Sequence, residues 1–168
     1  LISSRFFDNF ISFNATTGVI SCGAGVTLDQ ILRLSVPKGW FLPVLPGTKF
    51  VTIGGAIASD IHGKNHHLDG CFSSFVKSIK LMLASGETVL CNNSKRKNLY
   101  RASFGGMGLT GIVLSAKLQL MPIDSAFILQ KTLVARNLDE VFLLFEENHQ
   151  SRYSVAWLDC MARGKNLG

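Results

Sequence analysis

One stretch of the sequence, residues 46–67, combines glycines with ionisable and hydroxyl side chains. Gly47, Gly54, Gly55 and Gly63 leave room for a ligand or a second backbone to come close. Polar side chains stand beside them and offer hydrogen-bond donors and acceptors: Thr48, Thr52, Ser59, Asp60, His62 and Lys64. This mixture is suited to a bound, partly anionic cofactor.

Small and apolar residues follow the paired glycines, which predicts a short helix over 54–58. We expect its N-terminus to face outward, so that free peptide N–H groups and the positive end of the helix dipole can receive a phosphate or a carbonyl oxygen. A tightly packed turn of small residues is the alternative, because short glycine motifs are weak evidence by themselves.

The histidines of the same stretch raise the hypothesis of a metal site. His62 and His66 are four residues apart, His67 is adjacent, and Asp60 lies two residues earlier. The intervening 63–65 segment, Gly-Lys-Asn, interrupts a helix and places a cation among the ligands. We therefore predict no metal ligands, and we interpret His66 and His67 as histidines at the surface or core edge that are hydrogen-bonded to neighbours.

Composition sets the size and class of the molecule. The 168 residues are 47% hydrophobic with a mean hydropathy of +0.28, which suffices for one good core, or for one domain with part of another. Leu1 is not an initiator methionine, and we expect the sequence to be a segment of a larger protein. No targeting signal and no apolar run of transmembrane length is apparent.

The net charge of +6 is a moderate excess whose densest cluster is Lys95–Lys97 with Arg101. A solvated loop explains it, since nucleic-acid binding would require a basic face interleaved with aromatic residues. A basic patch facing an anionic lipid phosphate is a second interpretation. The four cysteines form no Cys-x-x-Cys pair, which favours reduced thiols over a zinc site or a redox dithiol.

Turn residues and hydrophobic periodicity predict an alternating series of strands and helices. The predicted elements up to residue 122 are two strands within 6–22, a helix that begins with the capping box Thr27–Gln30, a hairpin over 76–90, a short helix over 98–104 and a strand over 112–120. Beyond residue 124 we predict a strand at 127–129, a helix from Asn137 and a strand over 153–158.

Gly106–Gly111 formally matches the G-x-G-x-x-G dinucleotide fingerprint. That fingerprint requires a strand before it and a helix after it, whereas here a strand pattern follows. We interpret these glycines as allowing the backbone to pass close to a flat ligand.

Four segments together resemble one known family. They are residues 44–67, Gly70–Phe72, Phe104–Ile112 and Tyr153–Asp159. In order and separation they resemble the FAD-binding, PCMH-type oxidoreductases that include decaprenylphosphoryl-β-D-ribose 2-oxidase and the aldonolactone oxidases. The resemblance implies an α+β fold with a mixed or antiparallel sheet and flanking helices. It also implies an FAD-binding domain over 1–123, without its N-terminal pyrophosphate loop, and the start of an α+β substrate-binding domain over 124–168.

The resemblance also implies which residues form the site. FAD would be contacted by Gly47, Thr52, Ile53, Gly54, Gly55, Ser59, Asp60, Ile61, His62 and Ile112. The substrate would be contacted by His62, Lys64 and Trp157, since an imidazole can orient a hydroxyl and an ammonium can hold an anionic oxygen. The catalytic base is expected outside this chain.

The implied reaction is oxidation of a secondary alcohol of a sugar, with hydride transfer to the flavin. A lipid-phosphate-linked ribose is the favoured substrate and an aldonolactone the alternative within the family. The resemblance also admits a partner reductase that completes an epimerisation, and a cytoplasmic location with at most peripheral membrane contact. Two other classes stay open at this stage: a metal-dependent hydrolase and a non-catalytic basic binding module.

Overall fold

The computed structural model describes residues 3–161, and a five-stranded antiparallel sheet is its central element. The strands are β1 Phe10–Asn14, β2 Val19–Gly23, β3 Trp40–Phe41, β4 Val76–Met82, β5 Thr88–Cys91, β6 Ile112–Gln119 and β7 Met121–Pro122. The large sheet has the order β1-β2-β6-β4-β5, and β3 and β7 pair separately. This α+β architecture confirms the predicted fold class.

Five α-helices accompany the sheet within the described residues: α1 Leu28–Ser35, α2 Ile53–Ala58, α3 His66–Asp69, α4 Lys97–Ser103 and α5 Leu138–Glu147. Single 3₁₀ turns at Val36–Lys38 and Phe72–Phe75 follow α1 and α3. None of these helices is both long and apolar enough to cross a membrane.

The first helix begins as its capping box predicts. Thr27 Oγ1 accepts a hydrogen bond from the Gln30 amide at 3.3 Å, and the Gln30 side chain accepts from the Thr27 amide at 2.8 Å. These two bonds satisfy donors that a helix start would otherwise leave free. Leu28 and Ile31 are fully buried and attach the helix to the core.

One face of the sheet carries the core. Alternation in β6 places Ala116 and Leu118 inward and Lys117 outward, because successive side chains of a strand point to opposite faces. Inward residues of β2, β4 and β5 join them in a single apolar cluster with α1 and α2. The outward face is mainly polar and bears Ser12, Ser21, Ser78, Lys80, Ser115 and Lys117, with Leu90 exposed among them. Helix α2 is therefore held against the sheet by its buried face.

Two predicted strands are wrong. Residues 127–129 and 153–158 form no strand, although α5 between them begins at its predicted cap, where Asn137 Oδ1 accepts from the Glu140 amide at 2.9 Å. A strand needs a neighbouring strand for its peptide groups, and no strand of the described residues lies beside either segment. Local residue types predicted an extended backbone but could not predict pairing.

The boundary predicted at 122–124 stays a prediction. Strand β7 pairs with β3, and the Ile123 amide donates to Gly39 O at 2.9 Å, so residue 123 is still attached to the first part of the chain. The beginning and the end of the two predicted domains, 1–2 and 162–168, lie outside the described residues.

Candidate functional site

Helix α2 is the element that organises the site. Thr52 caps it with an extended backbone, and its Oγ1 accepts from the Gly55 amide at 3.2 Å. Ile53, Ala56 and Ile57 are buried against the core. The partly exposed side of α2 consists of the small residues Gly54, Gly55 and Ala58. No long side chain therefore projects from this side of the helix.

The N-terminus of α2 does not offer free amides, and the prediction that it faces outward is wrong. The Ile53 amide donates to Val26 O at 2.9 Å and the Gly54 amide to Ala24 O at 2.8 Å. The next two amides donate to the Oγ1 and the carbonyl of Thr52. The loop between β2 and α1 runs across this end of the helix, so an anion cannot bind there.

The glycines of the stretch fall into two groups. A Cβ on Gly63 would lie 2.7 Å from Leu45 O, and one on Gly54 would lie 3.3 Å from Ala24. Packing of the protein itself requires a glycine at position 63, and it leaves little room for a side chain at position 54. By contrast, a Cβ on Gly55 would meet only ordinary contacts, the nearest at 3.4 Å, and one on Gly47 would meet nothing within 4 Å.

The protein's own packing therefore does not explain why residues 47 and 55 lack side chains. Space left open above Gly55 and Gly47 is what a bulky, flat cofactor requires. The small-residue surface of α2 thus fits FAD, with the contact made by the side of the helix and not by its end.

The C-terminal end of α2 receives the glycine-rich loop that precedes β6. The Gly105 amide donates to Ile57 O at 3.2 Å and the Met107 amide to Ala58 O at 2.9 Å. A strand, and not a helix, follows this loop, which agrees with the interpretation that Gly106–Gly111 is not a dinucleotide-binding fingerprint. The loop and the small-residue side of α2 consequently lie next to each other.

Asp60 has a structural task at this end of the helix. Its backbone is left-handed, with φ of 41°, and its carboxylate accepts from the Ser73 amide at 2.8 Å and from Ser73 Oγ at 2.9 Å. Ser73 therefore fixes the orientation of the carboxylate, and each of its oxygens can still accept one more hydrogen bond.

His62 and Lys64 are both exposed, just beyond the end of α2. The ring of His62 lies edge-on to that of His66, with centroids 5.4 Å apart, and Cys71 Sγ is 3.8 Å from His66 Nδ1. Burial, together with the nearby negative charge of Asp60, raises the pKa of Cys71, which favours the neutral thiol. Between residues 3 and 161 no three His, Cys, Asp or Glu side chains are grouped as metal ligands.

The other two predicted site residues, Ile112 and Trp157, lie at the edge of the candidate site. Ile112 begins β6 opposite Met82 and is partly buried. Trp157 is 93% exposed, but its segment starts beside the site, because the Ser154 amide donates to Lys64 O at 3.1 Å. The structure thus groups residues 52–64, whereas the placement of Trp157 against a substrate stays a prediction.

Three residues that the sequence analysis did not single out support this loop: Asn65, Asp69 and Arg152. Asn65 is fully buried, and Asp69 forms an ion pair with Arg152. The partners are 83 residues apart in the chain, so no local pattern could have indicated the pair.

Comparison with known proteins assigns the chain to one family. The family described as FAD binding domain matches residues 1–92, which is more than half of the chain. The chain belongs to this family, and FAD is its cofactor.

Two named relatives are similar to this chain over most of its length. The chain is 39% identical over 160 residues to decaprenylphosphoryl-beta-D-ribose oxidase of Mycolicibacterium smegmatis, covering 94% of this chain and 35% of that protein. It is 29% identical over 125 residues to a putative D-arabinono-1,4-lactone oxidase of Neurospora crassa, covering 74% of this chain and 22% of the relative. The chain thus spans about a third or less of the length of these two relatives.

A solved structure shares the fold. The crystal structure of 6-hydroxy-D-nicotine oxidase from Arthrobacter nicotinovorans superposes with a TM-score of 0.63 at 19% identity, covering 70% of this chain and 26% of that one. This confirms the PCMH-type architecture.

Proposed function

We propose that the protein is an FAD-dependent oxidoreductase that oxidises a secondary alcohol of a sugar, and that the sugar is a ribose linked to a lipid phosphate. The observation that carries the proposal is the run of small residues along α2 that ends at exposed His62 and Lys64. It supplies a surface for a flat cofactor with a hydrogen-bonding group and a cation at one end. The 39% identity to a decaprenylphosphoryl-ribose oxidase supports the choice of sugar.

The residues of the site are proposed to have separate roles in binding the cofactor and the substrate. Bound FAD would supply the acceptor for the hydride of the alcohol carbon. Gly47, Thr52, Gly55, Ser59–His62 and Ile112 would hold the cofactor, and the open sites at Gly47 and Gly55 would let it approach the backbone. Ile53 and Gly54 would act from the buried side, by anchoring α2 beneath the cofactor. None of these residues is proposed as the base that removes the hydroxyl proton.

His62 and Lys64 act on the substrate. An imidazole exposed beside the cofactor surface can orient the reacting hydroxyl. An ammonium group nearby can stabilise the oxygen as it becomes negative, or hold the phosphate of the substrate. We place Trp157 as a wall of the substrate pocket, since the segment that contains it begins at the main chain of Lys64.

The domain division at 122–124 belongs to the same proposal. Residues up to 123 form the FAD-binding domain, and the chain from 124 begins the substrate-binding domain. For a lipid-linked substrate we expect a cytoplasmic protein with peripheral membrane contact, and a reductase partner that uses the ketone product.

An aldonolactone is the second candidate substrate. The putative D-arabinono-1,4-lactone oxidase among the relatives favours it, although its identity to this chain is 29% against 39% for the ribose oxidase. The two candidates differ in charge, because only the lipid-linked sugar carries a phosphate that Lys64 can meet.

The test uses the full-length protein with FAD bound, as shown by its visible absorbance. We expect Lys64→Met to retain the flavin and to lower kcat/KM for a polyprenyl-phosphoryl ribose by roughly 10²-fold, the size typical of losing one preorganised charge. Lys80→Met is the matched control, because Lys80 lies on the outward face of the sheet.

Three results would count against the proposal. Undiminished turnover by Lys64→Met would remove Lys64 from the site. A wild-type preference for a free lactone would replace the substrate. A protein without visible flavin absorbance would refute the proposed function itself.

A further inference from the structure

Arg152 and Asp69 form a two-point ion pair between the two parts of the chain. Arg152 Nε lies 3.0 Å from Asp69 Oδ2, and a terminal guanidinium nitrogen donates to Asp69 Oδ1 at 3.2 Å. The Asp69 side chain is only 19% exposed, against 45% for Arg152. Bidentate pairs of this kind fix orientation as well as distance.

The carboxylate of Asp69, whose orientation Arg152 fixes, also accepts a hydrogen bond from Asn65. Asn65 Nδ2 donates to Asp69 Oδ2 at 2.7 Å and to Pro43 O at 2.7 Å, and the Asn65 side chain is fully buried. Both acceptors lack hydrogens to donate, so the orientation of the amide is fixed. Arg152, Asp69, Asn65 and Pro43 therefore form a continuous hydrogen-bonded chain.

The same segment makes two further contacts with the loop. The Ser154 amide donates to Lys64 O at 3.1 Å. His67 Nε2 lies 3.1 Å from both His149 O and Ser151 O, which requires that this nitrogen carry the hydrogen. Contacts at Lys64, His67 and Asp69 thus hold the loop along its length.

Helix α3 depends on these contacts. It has four residues, and a helix that short is not stable by itself in water. Lys64 immediately precedes its cap, Asn65. The main-chain position of Lys64 is consequently set by residues from the far part of the chain together with Pro43 and Leu45, which contact its neighbours.

We propose that the Arg152–Asp69–Asn65 chain is a clasp that positions Lys64, so that Arg152 is a positioning residue for turnover without touching the substrate. This inference rests on the proposed role of Lys64. A merely stabilising surface ion pair predicts almost no effect on turnover, since such pairs contribute little to folding.

The first test measures the clasp directly by hydrogen exchange in the full-length, FAD-bound protein. Arg152→Ala is expected to speed exchange of the α3 amides by roughly tenfold, the consequence of losing a partly buried bidentate pair. Arg152→Lys keeps the positive charge but lacks the two-pronged guanidinium group. It is expected to retain part of the protection of the α3 amides against exchange. Arg33→Ala is the matched control, because it removes an Arg–Asp pair within α1.

The second test measures positioning by kinetics. Arg152→Ala is expected to lower kcat/KM for the lipid-phosphate sugar by roughly tenfold, with flavin content unchanged. In the Lys64→Met background, Arg152→Ala is expected to have no further effect, because the two residues then act as one unit.

The outcomes are distinguishable. Unchanged α3 exchange in Arg152→Ala overturns the clasp. Faster exchange with unchanged turnover, or additive losses in the double variant, overturns the positioning role. A flavin-loaded wild type that oxidises no sugar refutes the proposed function instead, and the exchange data then still decide whether the clasp exists.

Discussion

Gly54 and Gly55 are neighbours on one helix, yet the same substitution is expected to have opposite effects at the two positions. A Cβ on Gly54 would press on the Cβ and the carbonyl oxygen of Ala24, both at 3.3 Å. A Cβ on Gly55 would touch Thr52 Oγ1 at 3.4 Å and Val51 at 3.7 Å, which are normal contacts. Gly55→Ala should therefore affect the cofactor, and Gly54→Ala should affect the fold.

The magnitudes follow from these contacts. Alanine favours a helix over glycine by about 0.5–1 kcal/mol, so Gly55→Ala should leave the apoprotein as stable as wild type or slightly more so. Gly54→Ala gains the same propensity but requires Ala24 to move by a few tenths of an ångström, and overpacking costs up to about 1–3 kcal/mol. An added methyl group against bound FAD carries a similar cost, which weakens FAD binding by roughly 10- to 100-fold for Gly55→Ala.

Two assays separate the effects in the full-length protein. Urea unfolding of the apoproteins gives the free energy of unfolding, and titration with FAD, followed by flavin fluorescence, gives the dissociation constant. We expect Gly55→Ala to change only the second and Gly54→Ala to lower the first. If Gly55→Ala bound FAD as tightly as wild type, the open side of α2 would not be the cofactor surface, and the site would have to be sought elsewhere.

Two further predictions concern the α1 region. Thr27→Ala removes the capping-box oxygen and should lower the free energy of unfolding by about 1 kcal/mol in urea titration; an unchanged midpoint would contradict the role of the cap. The hydrogen bond from Lys49, at 2.6 Å, lowers the pKa of Asp29, with further help from the charge of Arg33. A lowered folded-state pKa gives stability that is present above the unfolded pKa of about 3.9 and is lost as the pH falls through the folded value, so wild type should lose more stability on acidification below about pH 4 than Asp29→Asn does. Parallel stability curves for the two proteins would show that the ion pair contributes nothing.

Local signals in the sequence were sufficient for much of the fold. The capping box at Thr27, the alternation along β6 and the cap at Asn137 each depend on residues within a few positions of one another. Such patterns act through nearby hydrogen bonds and side-chain direction, which do not require knowledge of the rest of the chain. The family motifs predicted FAD, and the FAD binding domain match confirmed it.

The features that the sequence did not predict depend on distant residues. The amides of α2 are occupied by Ala24 and Val26, which lie about thirty positions earlier in the chain. The clasp joins Asp69 to Arg152 over 83 positions. The strands expected at 127–129 and 153–158 failed for the same reason, because pairing depends on a partner that local sequence does not reveal.

The place of β6 in the sheet has a consequence for synthesis. This strand lies between β2 and β4, although both precede it in the chain. Val19–Gly23 leaves the ribosome 89 residues before Ile112, the difference between 112 and 23, which is about 4–18 s at about 5–20 residues per second. For the last 30 of those residues, the difference between 112 and 82, the edges of both β2 and β4 lack their shared neighbour, and unpaired edges invite association between nascent chains. A ribosome that pauses before residue 112 therefore prolongs the exposure of both edges, and chaperones that shield strand edges are expected to act during that pause.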